Sequence, residues 1–271
     1  MTETFPVKAV SYGGGVQSTA LLVMAARRQI DFPLFIFANT GDDSEHPHTL
    51  DYVRNVAKPY AEKNGIELVE VQNPGLTLFQ ASAGEGEATR SNLPLPMFGE
   101  TGLMNRTCTA EWKIKAVAKE LRKRGCSAKN PAQVALGISF DEIQRAKGEG
   151  YQDPRNKVQS HTYPLLLHFM TRNDCRSMIA AEGLPEPGKS ACYFCPFTHL
   201  EGWQRLRSEQ PELFENAVRL ERSYQDRLKA KGKPMQWITA AGARSNMMLD
   251  QVVNDQESLF GGEECGGYCH T

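Results

Sequence analysis

The sequence predicts an α/β fold: a mostly parallel sheet with helices on both faces, followed by a helical segment that carries cysteines. Three observations predict it. Strand-like and helix-like patterns alternate over residues 6–72, which implies right-handed crossovers between parallel neighbours. The run 33-PLFIFANTG-41 is apolar and rich in β-formers, as a strand covered on both faces must be. Beyond residue 160 the patterning is mainly helical and contains Cys175, Cys192 and Cys195.

Taken in order, residues 6–12 (PVKAVSY) read as the first strand and 16–29 as a helix with Leu21, Leu22 and Ala25 on its apolar side. The second strand is 33–41. Residues 47–64 are helical, with Leu50, Val53, Val56, Ala57 and Tyr60 at helical spacing and Asn64-Gly65 as the stop. Residues 66–72 (IELVEVQ) form a third strand. Between 73 and 107 periodicity is lost and Gly, Ser and Pro abound, which predicts a long mobile loop; loops of that length are usually functional or disordered. A helix over 110–124 turns Ile114, Val117, Ala118 and Leu121 away from its lysines and arginines, and 132–139 (AQVALGIS) is a fourth core strand. Residues 171–183 and roughly 199–230 are helical, with Trp203, Leu206, Phe214 and Val218 as packing residues. The segment 254–271 has no packing pattern and is expected to be flexible.

Composition excludes several classes. With 271 residues, a net charge of −1, 40 % hydrophobic and 23 % charged residues, the chain reads as an ordinary soluble protein with no global basic signal for nucleic acid. No run approaches a membrane span and MTETFPVKAV lacks a signal-peptide pattern, so a cytoplasmic location is expected. Seven cysteines, an odd number, in a reducing compartment argue against a disulfide framework and toward metal, cluster or redox chemistry.

The stretch 10-VSYGGGVQSTALLVM-24 places three glycines between the first strand and the first helix. That junction is where an open parallel sheet binds ligands. Free backbone N–H groups and the positive end of the helix dipole suit phosphate there, and glycines let phosphate oxygens come close. Ser18 adds a hydroxyl. The spacing fits neither G-x-G-x-x-G nor G-x-x-x-x-G-K-[ST], and a tight turn without a ligand is the plainer alternative.

SYGGGVQS resembles the pyrophosphate-binding loop of the PP-loop ATP pyrophosphatases, the adenine nucleotide α-hydrolases, whose pattern is S-x-S-G-G-x-x-S. The resemblance implies a Rossmann-like fold of the HUP type and places Ser11, Gly14, Gly15 and Ser18 on motif positions. Gly13 stands where serine is usual, Val16 where lysine is common and Gln17 where an aspartate that helps with Mg²⁺ is common, which leaves Mg²⁺ dependence open. The segment 39-NTGDDSEHP-47 resembles D-T-G…P-E-T of the PAPS-reductase branch, where the strand end lines the adenosine pocket; Asn39, Thr40 and Gly41 fall there. The resemblance runs over roughly 5–200 with its motifs in order. 137-GISFDEIQRA-146 is similar to the G-[IL]-R-x-x-[EQ]-x-x-R segment that contacts substrate anions, and 162-TYPLLLHFMTRNDC-175 to the segment before the C-terminal cluster cysteines.

Cys192-Tyr-Phe-Cys195 is a C-x-x-C followed by proline, a pattern shared by zinc sites, iron–sulfur sites and redox dithiols. Cys108 precedes the helix 110–124, with Thr107 or Thr109 as N-cap, and a helix N-terminus favours thiolate. Cys175 sits near the start of another predicted helix. The resemblance, through 106-RTCTAEWKIKAVAKEL-121 and the C-x-x-C, implies a [4Fe–4S] cluster held by Cys108, Cys175, Cys192 and Cys195, with structural zinc and unligated thiols as alternatives and a three-cysteine cluster as a variant. Cys126 reads as a plain packing or surface cysteine. Glu264-Cys265-Gly266 echoes the E-C-G-[LI]-H terminus of assimilatory PAPS reductases, and Cys269-His270 extends it; a tail with incidental cysteines is the alternative.

Lys113, Lys115, Lys119, Arg122, Lys123 and Arg124 read as a solvated basic face. Arg145, after a strand end, and Lys189, beside the C-x-x-C, are better placed to neutralise phosphate or sulfate. The six histidines, His46 and His48 among them, show no metal spacing.

These readings predict a nucleotide-binding α/β domain over 1–160, a helical cysteine-bearing segment over 161–250 and a tail over 251–271. The resemblance implies an ATP-dependent enzyme of sulfur metabolism that adenylylates an acceptor, a nucleic acid in the leading reading, for sulfur transfer from a cluster or a persulfide. A cysteine desulfurase would be the sulfur donor. Reduction of PAPS or adenylyl sulfate to sulfite, with Cys265 or Cys269 as nucleophile and a thioredoxin-like donor, is the alternative. A non-catalytic nucleotide-binding, cluster-binding sensor or complex subunit is the third. Homo-oligomers are compatible with all three.

Overall fold

The computed structural model describes residues 5–85, 94–104, 106–154 and 156–254. In chain order the elements are β1 (Lys8–Tyr12), α1 (Val16–Ala26), β2 (Leu34–Ala38), α2 (Pro47–Tyr52), a π-helical turn (Val53–Ala57), α3 (Lys58–Lys63), β3 (Glu67–Val71), α4 (Leu78–Ala83), β4 (Phe98–Gly99) and β5 (Gly102–Leu103). A second π-helical turn (Thr109–Ile114) leads into α5 (Lys115–Lys123), followed by β6 (Ala132–Leu136), a 3₁₀ segment (Phe140–Arg145), β7 (Gln159–Thr162), α6 (Pro164–Leu167) and α7 (Arg172–Ala181). The last elements are α8 (Leu200–Glu209), α9 (Pro211–Ala230), α10 (Ala240–Ser245) and α11 (Leu249–Asn254).

The chain divides into two units, one of residues Met1–Asn73 and Glu111–Ser190, the other of Pro74–Ala110 and Ala191–Thr271. The first is a five-stranded, all-parallel sheet in the order β3-β2-β1-β6-β7. Residues alternate between its two faces, as the two-residue strand repeat requires. Val10, Tyr12, Phe35 and Phe37 pack with α1, α2 and α7, while Ala9, Leu34, Ile36 and Val134 pack with α5. Central strands covered on both sides must be apolar throughout, which is why LFIFA in β2 is buried at every position.

Two expectations change here. β7 reads QSHT, too polar to register as a strand, yet it pairs with β6 at the sheet edge, and α7 packs on α1. The sheet unit therefore runs to Ser190 rather than ending near 160. The stretch 73–107 is not one loop. Thr77 caps α4, accepting from the Gln80 N–H while the Gln80 side chain accepts from the Thr77 N–H. Phe98 and Trp237 exchange two backbone bonds of 2.8 Å. These residues belong with the C-terminal helices because their apolar and backbone groups are satisfied there.

In the helical unit α8 and α9 pair, with Trp203, Phe214, Ala217 and Val218 fully buried. Glu221 is also fully buried, and its two carboxylate oxygens accept the Ile238 N–H at 2.7 Å and the Leu249 N–H at 2.6 Å. No helix among the described residues is long and apolar enough to cross a membrane.

Candidate nucleotide site at the glycine turn

β1 is followed on one side of the sheet by β2 and on the other by β6, so the order reverses between β1 and β6. A crevice outside the strand ends opens at such a switch point. The glycine turn Gly13–Gly14–Gly15 leaves β1 at that place and enters α1, with Gly15 as N-cap. The three glycines differ in what they demand, and Gly13 has room for a Cβ. Gly14 has φ +75°, and a Cβ there would lie 3.0 Å from Val53 Cγ2 and 3.1 Å from Thr49 Cγ2, so both conformation and packing require glycine. Gly15 has an ordinary φ of −106°, but a Cβ would lie 2.8 Å from Ser190 Oγ. Over Gly13 a Cβ would stand 3.9 Å from both Ser18 Oγ and Ser190 Oγ.

Ser18 is buried and organises the turn: its Oγ accepts the Gly15 N–H at 3.2 Å and donates to the Gly15 carbonyl at 3.0 Å. Gln17 donates to Ser139 Oγ at 3.4 Å, linking the helix start to the chain after β6. Gly137 lets that chain pass, since a Cβ there would come within 3.0 Å of the Ser18 nitrogen. Ser11 is half-buried on β1 opposite Ile36 and Leu136.

The turn after β2 is built as a rigid wall. Asn39 accepts the Gly41 N–H at 2.8 Å and donates to Asp42 and Glu70 at 2.7 and 2.6 Å. Arg54 binds both carboxylates through four hydrogen bonds and holds them below the usual carboxylate range. Thr40 donates to the buried Glu45 at 2.9 Å, and Lys113 lies 3.4 Å from the same oxygen. Lys113 thus belongs to this turn rather than to a solvated basic face. His46 and His48 stack with ring centroids 3.9 Å apart; burial, then the neighbouring His48, pushes His46 down to about 4, so it is neutral near pH 7. His46 Nδ1 and Thr49 Oγ1 are buried beside the turn without a partner.

Arg145 lies mostly buried in the 3₁₀ segment and pairs with Glu142, so the two charges offset each other. Lys189 sits on a strap, residues 185–190, whose Lys189 carbonyl accepts from His48 Nε2 at 3.1 Å and whose Pro185 carbonyl accepts from Tyr52 at 3.0 Å. The sheet unit carries Ser11, Gly13, Gly14, Gly15, Gln17, Ser18, Asn39, Thr40, Gly41, Arg145 and Lys189. Sequence reasoning did not single out Gly137 and Ser139, which lie beside Gln17 and Ser18, Glu45, the buried partner of Thr40, or Ser190, which meets the glycine turn. The signal for Gly137 and Ser139 was their place directly after the fourth strand; nothing local marks the other two.

The cysteines separate. Cys192 and Cys195 lie in a turn closed by the Cys195 N–H on the Cys192 carbonyl at 3.1 Å, and the Cys108 N–H donates to the Pro94 carbonyl at 3.0 Å. All three are half-buried in the helical unit. Cys175 is fully buried in the apolar core of the sheet unit, and burial, first of all, pushes its thiol up to about 12. Cys175 lies in the sheet unit, and Cys108, Cys192 and Cys195 in the helical unit. Among the described residues no three His, Cys, Asp or Glu side chains gather as metal ligands. Cys265 and Cys269 lie outside the described residues.

The fold thus defines a class: an open, all-parallel α/β sheet with a glycine-rich strand-to-helix turn at its switch point. No family model and no curated protein matches the chain. Among solved structures it is similar to the U34-tRNA thiolase NcsA from Methanococcus maripaludis with its [4Fe-4S] cluster, at 18 % identity and a TM-score of 0.41, covering 83 % of this chain and 73 % of that one. A likeness that loose transfers no residue role.

Proposed function

We propose that the sheet unit binds an adenine nucleotide and that the protein is an ATP pyrophosphatase-type enzyme that adenylylates an acceptor for sulfur transfer. One observation carries the nucleotide reading: the glycine turn lies at the β1/β6 switch point, with backbone and hydroxyl groups concentrated at the start of α1. The first amides of a helix lack intrahelical partners and suit the β- and γ-phosphates. An acceptor oxygen attacks the α-phosphorus, pyrophosphate leaves into the glycine turn, and a sulfur nucleophile then displaces AMP. Positioning and charge neutralisation supply most of the rate, with Lys189 the nearest cation on the strap.

A nucleic acid is the acceptor we favour, and the half-buried thiols of Cys108, Cys192 and Cys195 are the groups suited to carry sulfur from a persulfide donor such as a cysteine desulfurase. Mg²⁺ bound by the nucleotide remains compatible with this site, with Gln17 as a neutral neighbour. The test is release of pyrophosphate and AMP from ATP by the purified protein, with and without bulk transfer RNA. Sulfite formed from PAPS with no consumption of ATP would replace this reading by the reductase.

A further inference from the structure

The strap of residues 185–190 has no role in the sequence reading beyond Lys189, yet it ends over the glycine turn. Ser190 Oγ lies 2.8 Å from the position a Cβ on Gly15 would take and 3.9 Å from the same position on Gly13. Ser18 Oγ stands at the same 3.9 Å from the Gly13 position. Two hydroxyls from segments 172 residues apart therefore converge on the face of the turn that lacks side chains. The strap is not loosely draped. Tyr52 holds the Pro185 carbonyl and His48 Nε2–H holds the Lys189 carbonyl. Gly188 lets the His48 ring lie close at the crossing, since a Cβ there would fall 2.6 Å from His48 Nε2 and push the ring aside. Pro185 and Pro187 further limit its backbone.

We infer that Ser190 is a phosphate-binding residue of the nucleotide site, donating its hydroxyl to the pyrophosphate group held by Gly13–Gly15, and that His48 is the residue that positions it. The inference rests on the nucleotide reading above and adds to it a second wall for the phosphates, supplied by the strap. A hydroxyl is suited to this place: it donates to a phosphate oxygen without adding charge, and its short side chain fits where Gly15 admits no Cβ. Held by two tethers before the ligand arrives, it costs little entropy on binding.

Calorimetry with ATP, inorganic pyrophosphate and AMP on the full chain tests this. Ser190→Ala is expected to weaken pyrophosphate and ATP about tenfold, the usual loss for one hydrogen bond to a charged group, and to leave AMP within twofold. Ser190→Thr, which keeps the hydroxyl, should restore most of the affinity. His48→Ala should weaken pyrophosphate in the same direction and His48→Gln, which can still donate to the Lys189 carbonyl, should recover it. Gly15→Val separates the two levels of the argument. If Gly15→Val loses pyrophosphate while Ser190→Ala binds it as tightly as wild type, Ser190 only packs and this inference is wrong. If wild type and Gly15→Val bind pyrophosphate and ATP alike, the nucleotide reading falls and takes the inference with it.

Discussion

Both units bury polar groups, but they bury them in different places. In the sheet unit Asn39, Thr40, Ser44, Glu45 and Ser139 are buried in the chain after β2 and β6, and Ser18, Thr19 and Thr49 in the first turns of α1 and α2, while β7 at the sheet edge adds Gln159, Ser160 and Thr162. In the helical unit the buried carboxylate of Glu221 sits inside the packing, tying the starts of two chain segments to α9 through Ile238 and Leu249. Gln225 holds the Gln236 carbonyl at 3.1 Å in the same way. Several of the sheet unit's groups also hold backbone, Asn39 the Gly41 N–H and Ser18 the Gly15 N–H, but there they shape turns at the strand ends, where an open sheet binds ligands. Buried polarity matched one-to-one with backbone amides is scaffold, because each partner is consumed by the other.

The strongest way to break this comparison is at Glu221. Glu221→Ala leaves two buried N–H groups without acceptors and opens a cavity, and should cost about 3 kcal/mol or more of stability. Urea unfolding should show that loss, and hydrogen exchange should place it at the Ile238 and Leu249 amides rather than in β1 or β2. Undiminished stability would mean that Glu221 is not a scaffold residue. Glu221→Gln keeps one acceptor but turns an NH₂ group toward a donor, so it should fall between the two.

The units should also respond to pH in opposite directions. Burial pushes Glu221 up to about 7, against the pull of its two N–H donors, while the unfolded value is the ordinary one near 4.5. Its contribution is therefore fully present below about 4.5 and is lost as pH rises through 7. His46 is pushed down to about 4, so its contribution is present above the unfolded 6.5 and is lost as pH falls through 4. Exchange protection, corrected for the intrinsic rate, should decline with rising pH around Glu221 and with falling pH around α2. Parallel trends in the two regions would contradict the burial given for one of these groups.

Within the sheet unit, two neighbouring glycines separate folding from binding. Gly14→Ala meets a positive φ and the side chains of Val53 and Thr49, and should destabilise by about 1–3 kcal/mol. Gly15→Val meets no backbone penalty, only Ser190, and should keep the fold while reducing ATP affinity at least thirtyfold, read by calorimetry. Equal loss of stability in both variants would show that the turn is structural at both positions.

Much of the sheet unit was legible because its physics is local. β1, β2, β3 and β6 announce themselves as apolar runs, and three glycines between a strand and a helix mark a tight turn. What was illegible depended on distant partners. QSHT becomes a strand only because β6 offers an open edge. Lys113 leaves the basic helix face because a π-helical turn carries it toward Glu45, 68 residues earlier. Ser190 reaches the glycine turn through a strap with no periodicity. Cys175 obeys the local rule for a helix start, capped by Thr171 and Asp174, but its burial against α1 was not readable from the sequence.

The smallest expected effect concerns the thiols and sharpens the same contrast. Cys126 and Cys175 of the sheet unit are buried, and burial raises both, Cys175 to about 12. Cys108, Cys192 and Cys195 of the helical unit are half-buried. Alkylation proceeds through the thiolate and needs access, so burial slows the first group on both counts. Under native conditions, iodoacetamide should modify Cys108, Cys192 and Cys195 at least tenfold faster than Cys126 and Cys175, as followed by peptide mass spectrometry. In denaturant the difference should vanish, because the unfolded chain exposes every thiol at its ordinary pKa. If Cys175 reacts natively as fast as Cys192, its burial in the core of the sheet unit is wrong. If Cys192 and Cys195 stay unreactive in the native protein while Cys108 reacts, the turn shields the pair, and sulfur transfer would have to use Cys108 alone.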